Sequence, residues 1–229
     1  MRKKMMYPFV ILELLLFFMA MLTNITDIGI KSYIFTISAL GLCFVYAFIY
    51  EVNETFDRIL AIISSLFIVS GEVCSNFLNI DYIGEGLYML GLLILLSKIL
   101  MKYLDNKKLL IISISSLVVL SIGFTFIFKL FTEMPLNVVL AIEASILLVG
   151  IVLGIYTYKH IQNNMKPNLY FYSAGLVFFL IYKSALVMLP YMNNTSALYG
   201  IISIAKFTFL IPAAIMAVIS FKIFEPHAS

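Results

Sequence analysis

The sequence predicts an all-α integral membrane protein with eight transmembrane helices and both termini on the cytoplasmic side. Hydrophobic residues make up 63 % of the 229 positions and charged residues only 12 %, a balance that excludes a soluble domain. The apolar residues fall in eight successive stretches, each of a length that crosses a bilayer as a helix. The basic residues between those stretches lie almost entirely on one side, which sets the orientation.

The first span covers 7–25 and follows Arg2, Lys3 and Lys4. It has the outline of a signal peptide, but Ala20-Met21-Leu22 offers no small-x-small cleavage site and Glu13 interrupts the apolar run, so it reads as a retained helix. The second span, 33–50, contains Cys43. Cys43 and the third span's Cys74 read as small hydrophobes, since two isolated cysteines make neither a zinc site nor a disulfide framework. On the third span, 59–80, Ser65, Glu72, Asn76 and Asn79 recur at spacings of seven, four and three and form one polar stripe. The fourth and fifth spans, 83–101 and 109–131, carry Lys98 and Lys129 close enough to their ends to snorkel.

The sixth span, 136–158, places Glu143 on a face with Gly150 and Gly154, a small-xxx-small step that permits close helix approach. The seventh, 169–190, carries Tyr172 and Lys183 on one face. The eighth, 197–224, shows Tyr199, Ser203 and Lys206 as a second polar stripe, with Pro212 beyond it allowing a kink. The connections are short, so residues 1–229 read as a single transmembrane domain with no soluble domain.

Arg2, Lys3, Lys4, Arg58, Lys102, Lys107, Lys108, Lys159, Lys166 and Lys222 lie on one side and Lys31 alone on the other. The even number of spans agrees with cytoplasmic termini on the basic side. The expected location is the plasma membrane, as a multi-pass protein. A parallel 4+4 repeat with halves 7–101 and 109–224 is faintly visible, because a shift of 111 residues places Glu72 on Lys183 and Leu87-Tyr88 on Leu198-Tyr199.

Counting 1.5 Å of rise per residue puts Glu72, Glu143, Lys183 and Lys206 in one layer, roughly 10 to 14 Å below the outer surface. Charges at that depth are expensive and persist where they pair, face the bundle interior and contribute to function. The candidate ligand-binding or ion-pair network is therefore Glu72, Glu143, Lys183 and Lys206 with Asn76, Asn79, Tyr172, Tyr199 and Ser203. Glu13, nearer the cytoplasmic end, reads as a slightly shifted helix start rather than the inner member of a relay.

The chemistry this excludes is equally informative. His160 and His227 both fall in cytoplasmic segments, and no aspartate lies inside a span, so neither a histidine metal cluster nor an aspartyl dyad forms in the membrane. No hydrolase, metalloprotease or nucleotide-binding motif is present. No cofactor and no metal is expected, and an intramembrane enzyme ranks below the other readings. The formal charge of +3 is scattered in ones, twos and threes, which does not describe a nucleic-acid surface. The expected partners are the lipid bilayer, a small-molecule or proton substrate, and a membrane protein partner.

Lys183 on the seventh helix and Glu72 on the third are similar to the Schiff-base lysine and counterion of microbial rhodopsins. Eight spans and the absence of tryptophan argue against the retinal pocket that this resemblance implies. The architecture also resembles the transmembrane sensor regions of signalling kinases, which share apolar helices, short loops and cytoplasmic termini. The expected function is small-solute or proton-linked transport through an outward-facing polar cavity. The alternative is a membrane sensing or interaction subunit that signals through a separate partner.

Overall fold

In a bilayer each backbone N–H and C=O must find its partner within its own segment, so long apolar runs fold as helices. The computed structural model describes residues 6–26, 32–49, 55–76, 78, 80–103, 107–130, 136–160, 166–189 and 197–221. Eight helices follow one another: α1 (Met6–Thr26), α2 (Ser32–Ile49), α3 (Thr55–Asn76), α4 (Asp81–Tyr103), α5 (Lys107–Phe128), α6 (Leu136–His160), α7 (Lys166–Met188) and α8 (Ala197–Ile219). Five of them, α3 to α7, contain stretches long and apolar enough to cross a membrane. The apolar stretches described in the other three, Tyr7–Thr23, Tyr33–Ile49 and Thr208–Ile219, are shorter.

The helix bounds lie within a few residues of the sequence expectation. The largest differences are that α3 opens at Thr55 and closes at Asn76, four residues early at both ends, and that α8 closes at Ile219, five residues early. At the α3–α4 turn the chain leaves the helix early, with the Leu78 N–H donating to the Val73 carbonyl and the Ile80 N–H to the Cys74 carbonyl. Asp81 then opens α4 in its first turn, where a negative charge complements the helix dipole. Lys159 and His160 occupy the last turn of α6, where cations do the same.

Helices adjacent in sequence pair as hairpins: α1 with α2, α3 with α4, α5 with α6, and α7 with α8. Between hairpins, α2 meets α3, α6 meets α7, α4 meets α6, and α8 meets both α2 and α1. The result is a ring of α2, α3, α4, α6, α7 and α8. Outside it, α1 leans on α2 and α8, and α5 leans on α6. Val118, Val119 and Phe126 of α5 are accordingly largely exposed.

Lipid tails are as apolar as leucine, so close packing rather than burial from water holds such helices together. Two glycine pairs make that packing close. A Cβ on Gly71 of α3 would lie 2.9 Å from the Gly84 carbonyl oxygen of α4, and one on Gly84 would lie 2.8 Å from the Gly71 carbonyl oxygen. On α6, a Cβ on Gly150 would lie 2.6 Å from Leu176 Cδ1 and 3.1 Å from Tyr172 Oη, and Gly154 faces Tyr172 and Ser173. The small-xxx-small step on α6 is thus filled by α7 of the same chain.

Candidate functional site

The α3–α4 glycine contact decides where the next residue on each helix goes. Glu72 follows Gly71 and Glu85 follows Gly84, so bringing the two glycines together sets both carboxyls in one layer. Both side chains are buried. Across the ring from them, α6 contributes Glu143 and α7 contributes Tyr182 and Lys183, all buried as well.

Lys183 is the hub. Its ammonium donates to a Glu85 carboxyl oxygen and pairs with Glu143 Oε2 at 3.3 Å. It also sits 3.9 Å from the centroid of the Tyr88 ring and 5.6 Å from that of Tyr182, distances at which an aromatic face stabilises a cation. Glu72 is held by two phenols: the Tyr88 hydroxyl donates to Glu72 Oε2, and the Tyr182 hydroxyl reaches the same oxygen at 3.4 Å. The two tyrosine rings lie 6.3 Å apart, so they link the Glu72 contacts to the Lys183 contacts.

One member of this layer is poorly served. Neither oxygen of Glu143 has a partner in good hydrogen-bond geometry, although the Lys183 ammonium pairs with Oε2 at 3.3 Å and the Glu85 carboxyl lies close beside it. A buried carboxyl in that state retains much of its desolvation cost. Beside it lies a cavity of about 400 Å³ between the end of α5 and α6 and α7, into which Glu143 and Lys183 both face. Its other walls are mainly apolar, whereas the sequence suggests a polar cavity.

Of the residues expected from sequence, Glu72, Glu143 and Lys183 come together here. Tyr172 does not join them: it lies eleven positions before Lys183, about 16 Å along α7, with its ring in the Gly150–Gly154 notch and its hydroxyl without a hydrogen-bond partner. Ser65, expected on the Glu72 stripe, satisfies itself within α3 by donating to the Ala61 carbonyl at 2.7 Å. Asn76, Tyr199, Ser203 and Lys206 belong to α3 and α8, but their side chains, and Asn79 altogether, lie outside the described residues.

Glu85, Tyr88 and Tyr182 escape the sequence reading. Glu85 sits two residues into an expected span, where a charge is cheap and draws no attention. The signal that finds it is the Gly-Glu pair repeated at 71–72 and 84–85.

Two further expectations are corrected. Lys98 does not snorkel: it is buried, and its ammonium donates to the Ser220 carbonyl at 2.6 Å. Glu13 is not at a helix start: α1 begins at Met6, Glu13 is fully buried, and Cys43 Sγ donates to its Oε1 at 3.1 Å. Cys43 therefore acts as a polar partner and not only as a small hydrophobe. Among the described residues no group of three or more His, Cys, Asp or Glu is arranged to hold a metal ion.

No family model matches the chain, no characterised protein is significantly similar to it in sequence, and no solved structure matches its fold.

Proposed function

We propose that this chain crosses the plasma membrane eight times with both termini cytoplasmic, and that it moves protons, alone or linked to a small solute, through the Glu72, Glu85, Glu143 and Lys183 layer. The observation that carries the reading is the sharing of one buried ammonium by two carboxyls from different helices, Glu85 on α4 and Glu143 on α6. A clamp that merely fixed helix neighbours needs one carboxyl per ammonium. A second carboxyl leaves a place that a proton can occupy and vacate, because like charges at close quarters cannot both ionise cheaply. Movement of Lys183 between its two partners would pass that place from one helix to the other.

The orientation is supported by the ten-to-one distribution of basic residues. The 4+4 repeat is supported by matching neighbours: the contact of α4 with α6 in one register corresponds to that of α8 with α2 in the other. In the proposed orientation the charged layer lies toward the outer face, at the ends of α3 and α7 and the beginnings of α4 and α6.

Purified protein in vesicles that enclose a pH-sensitive dye tests the reading. Wild-type protein is expected to collapse an imposed pH gradient, and Lys183→Met and Glu72→Gln to alter the rate. Wild-type rates in both variants would overturn the assignment. Absent flux together with a stably co-purifying membrane partner would instead favour the sensing or interaction subunit.

A further inference from the structure

The cavity beside Glu143 is not needed for proton movement, and its chemistry is specific. Phe128 closes it from α5, Leu140 and Leu147 from α6, and Leu180 and Val187 from α7. The floor is the Glu143–Lys183 pair. At its rim Ser184 and Met188 are exposed, so the cavity opens sideways from the ring, along the surface that acyl chains cover in a bilayer.

The floor lacks one kind of group. Glu143 is 1 % exposed and neither of its oxygens has a partner in good hydrogen-bond geometry. The Lys183 ammonium already donates to Glu85 and covers the Tyr88 ring. What the site wants is a donor entering from the cavity side, because a buried carboxyl that has an ion pair but no aligned hydrogen bond keeps part of its desolvation cost, and a hydrogen bond to a charged group is strong. What the walls want is an apolar body. A volume of about 400 Å³ is between two and three times that of an apolar cavity that holds one benzene, roughly 150 Å³. A two-chain phospholipid is too large for it.

We infer that this pocket binds a single-chain amphiphile from the membrane, an aliphatic or isoprenoid body ending in one hydrogen-bond donor, an alcohol or an amine, which Glu143 receives. The inference takes only the membrane setting from the functional reading and holds with or without proton movement.

Wild-type protein in nanodiscs, irradiated with a long-chain alcohol that carries an alkyl diazirine and mapped by peptide mass spectrometry, tests it. Adducts are expected on α6 and α7 around Leu147 and Leu180, and unlabelled dodecanol should suppress them where dodecane does not. Leu147→Trp, which fills the cavity, should remove the adducts. Glu143→Leu should weaken competition by dodecanol about tenfold, the loss of one charge-assisted hydrogen bond. If either variant fails to fold, the wild-type competition decides. Equal suppression by dodecane, or adducts confined to the exposed α5 surface at Val118, Val119 and Phe126, would overturn the inference. Adducts in a protein without proton flux would uphold the pocket while removing the transport reading. Flux without adducts would do the reverse.

Discussion

Each end of this bundle buries a lysine, and the contacts described for the two differ in kind. Lys98 lies thirteen positions after Glu85 on α4, about 20 Å away along the helix. Its ammonium donates to the Ser220 carbonyl at 2.6 Å, Asn168 Nδ2 donates to the same oxygen at 2.7 Å, and the Phe221 ring centroid is 3.8 Å from Nζ. Ser220 follows the last residue of α8, where helix carbonyls run out of partners and the dipole is negative. These contacts tie α4 to the end of α8 through backbone and ring, groups that do not titrate. Lys183 meets Glu85 and Glu143, which do. A buried lysine does not by itself mark a working site; what it faces decides.

The largest expected effect comes from breaking the carboxyl-facing end. Lys183→Met leaves Glu85 and Glu143 buried without their ammonium, and thermal unfolding in detergent should show a loss of about 3–5 kcal/mol. An unchanged transition would mean that the two carboxyls do not depend on Lys183.

The next effect tests how the carboxyls are brought together. Gly84→Ala sets a methyl 2.8 Å from the Gly71 carbonyl oxygen and against Ser75 Oγ, and overpacking of that kind costs about 1–3 kcal/mol. Gly86→Ala two positions on meets nothing within 4 Å, so it should leave the protein at least as stable, alanine being the better helix former by about 1 kcal/mol. Equal losses in both would remove the close α3–α4 contact as the reason for the carboxyl layer.

Lys98→Met should cost less, about 1–2 kcal/mol, because Asn168 still serves the Ser220 carbonyl when the ammonium that shares it is removed. A larger loss than that of Lys183→Met would invert the comparison. The smallest effect is the coupling between the ends. In the Lys98→Met, Lys183→Met double variant the two losses should add to within about 0.5 kcal/mol, as they do for distant sites without shared partners.

Much of the fold is legible in the sequence, since hydropathy over a whole span is a strong local signal and the helix bounds follow it closely. Glu72, Glu143 and Lys183 are legible for the same reason, each a charge within an apolar run. Which helix neighbours which is not local information. That α4 passes α5 and packs on α6 is what carries Glu85 to Lys183, and no pattern within α4 announces it. Lys98 shows the converse error: its nearness to a helix end suggests an escape to the interface, but the end of α8 supplies carbonyls that hold it inside. Tyr172 shares a helical face with Lys183, yet a face extends the length of the helix, and the glycine notch on α6 takes the tyrosine far from the charges.

Proton flux separates the two ends most directly. With vesicles matched for folded protein, Lys98→Met should dissipate an imposed pH gradient as wild-type protein does, whereas Lys183→Met should fall to the rate of protein-free vesicles. A Lys183→Met protein that keeps the wild-type rate, or a Lys98→Met protein that loses it while still folded, would contradict the assignment of the carboxyl-facing end as the working one.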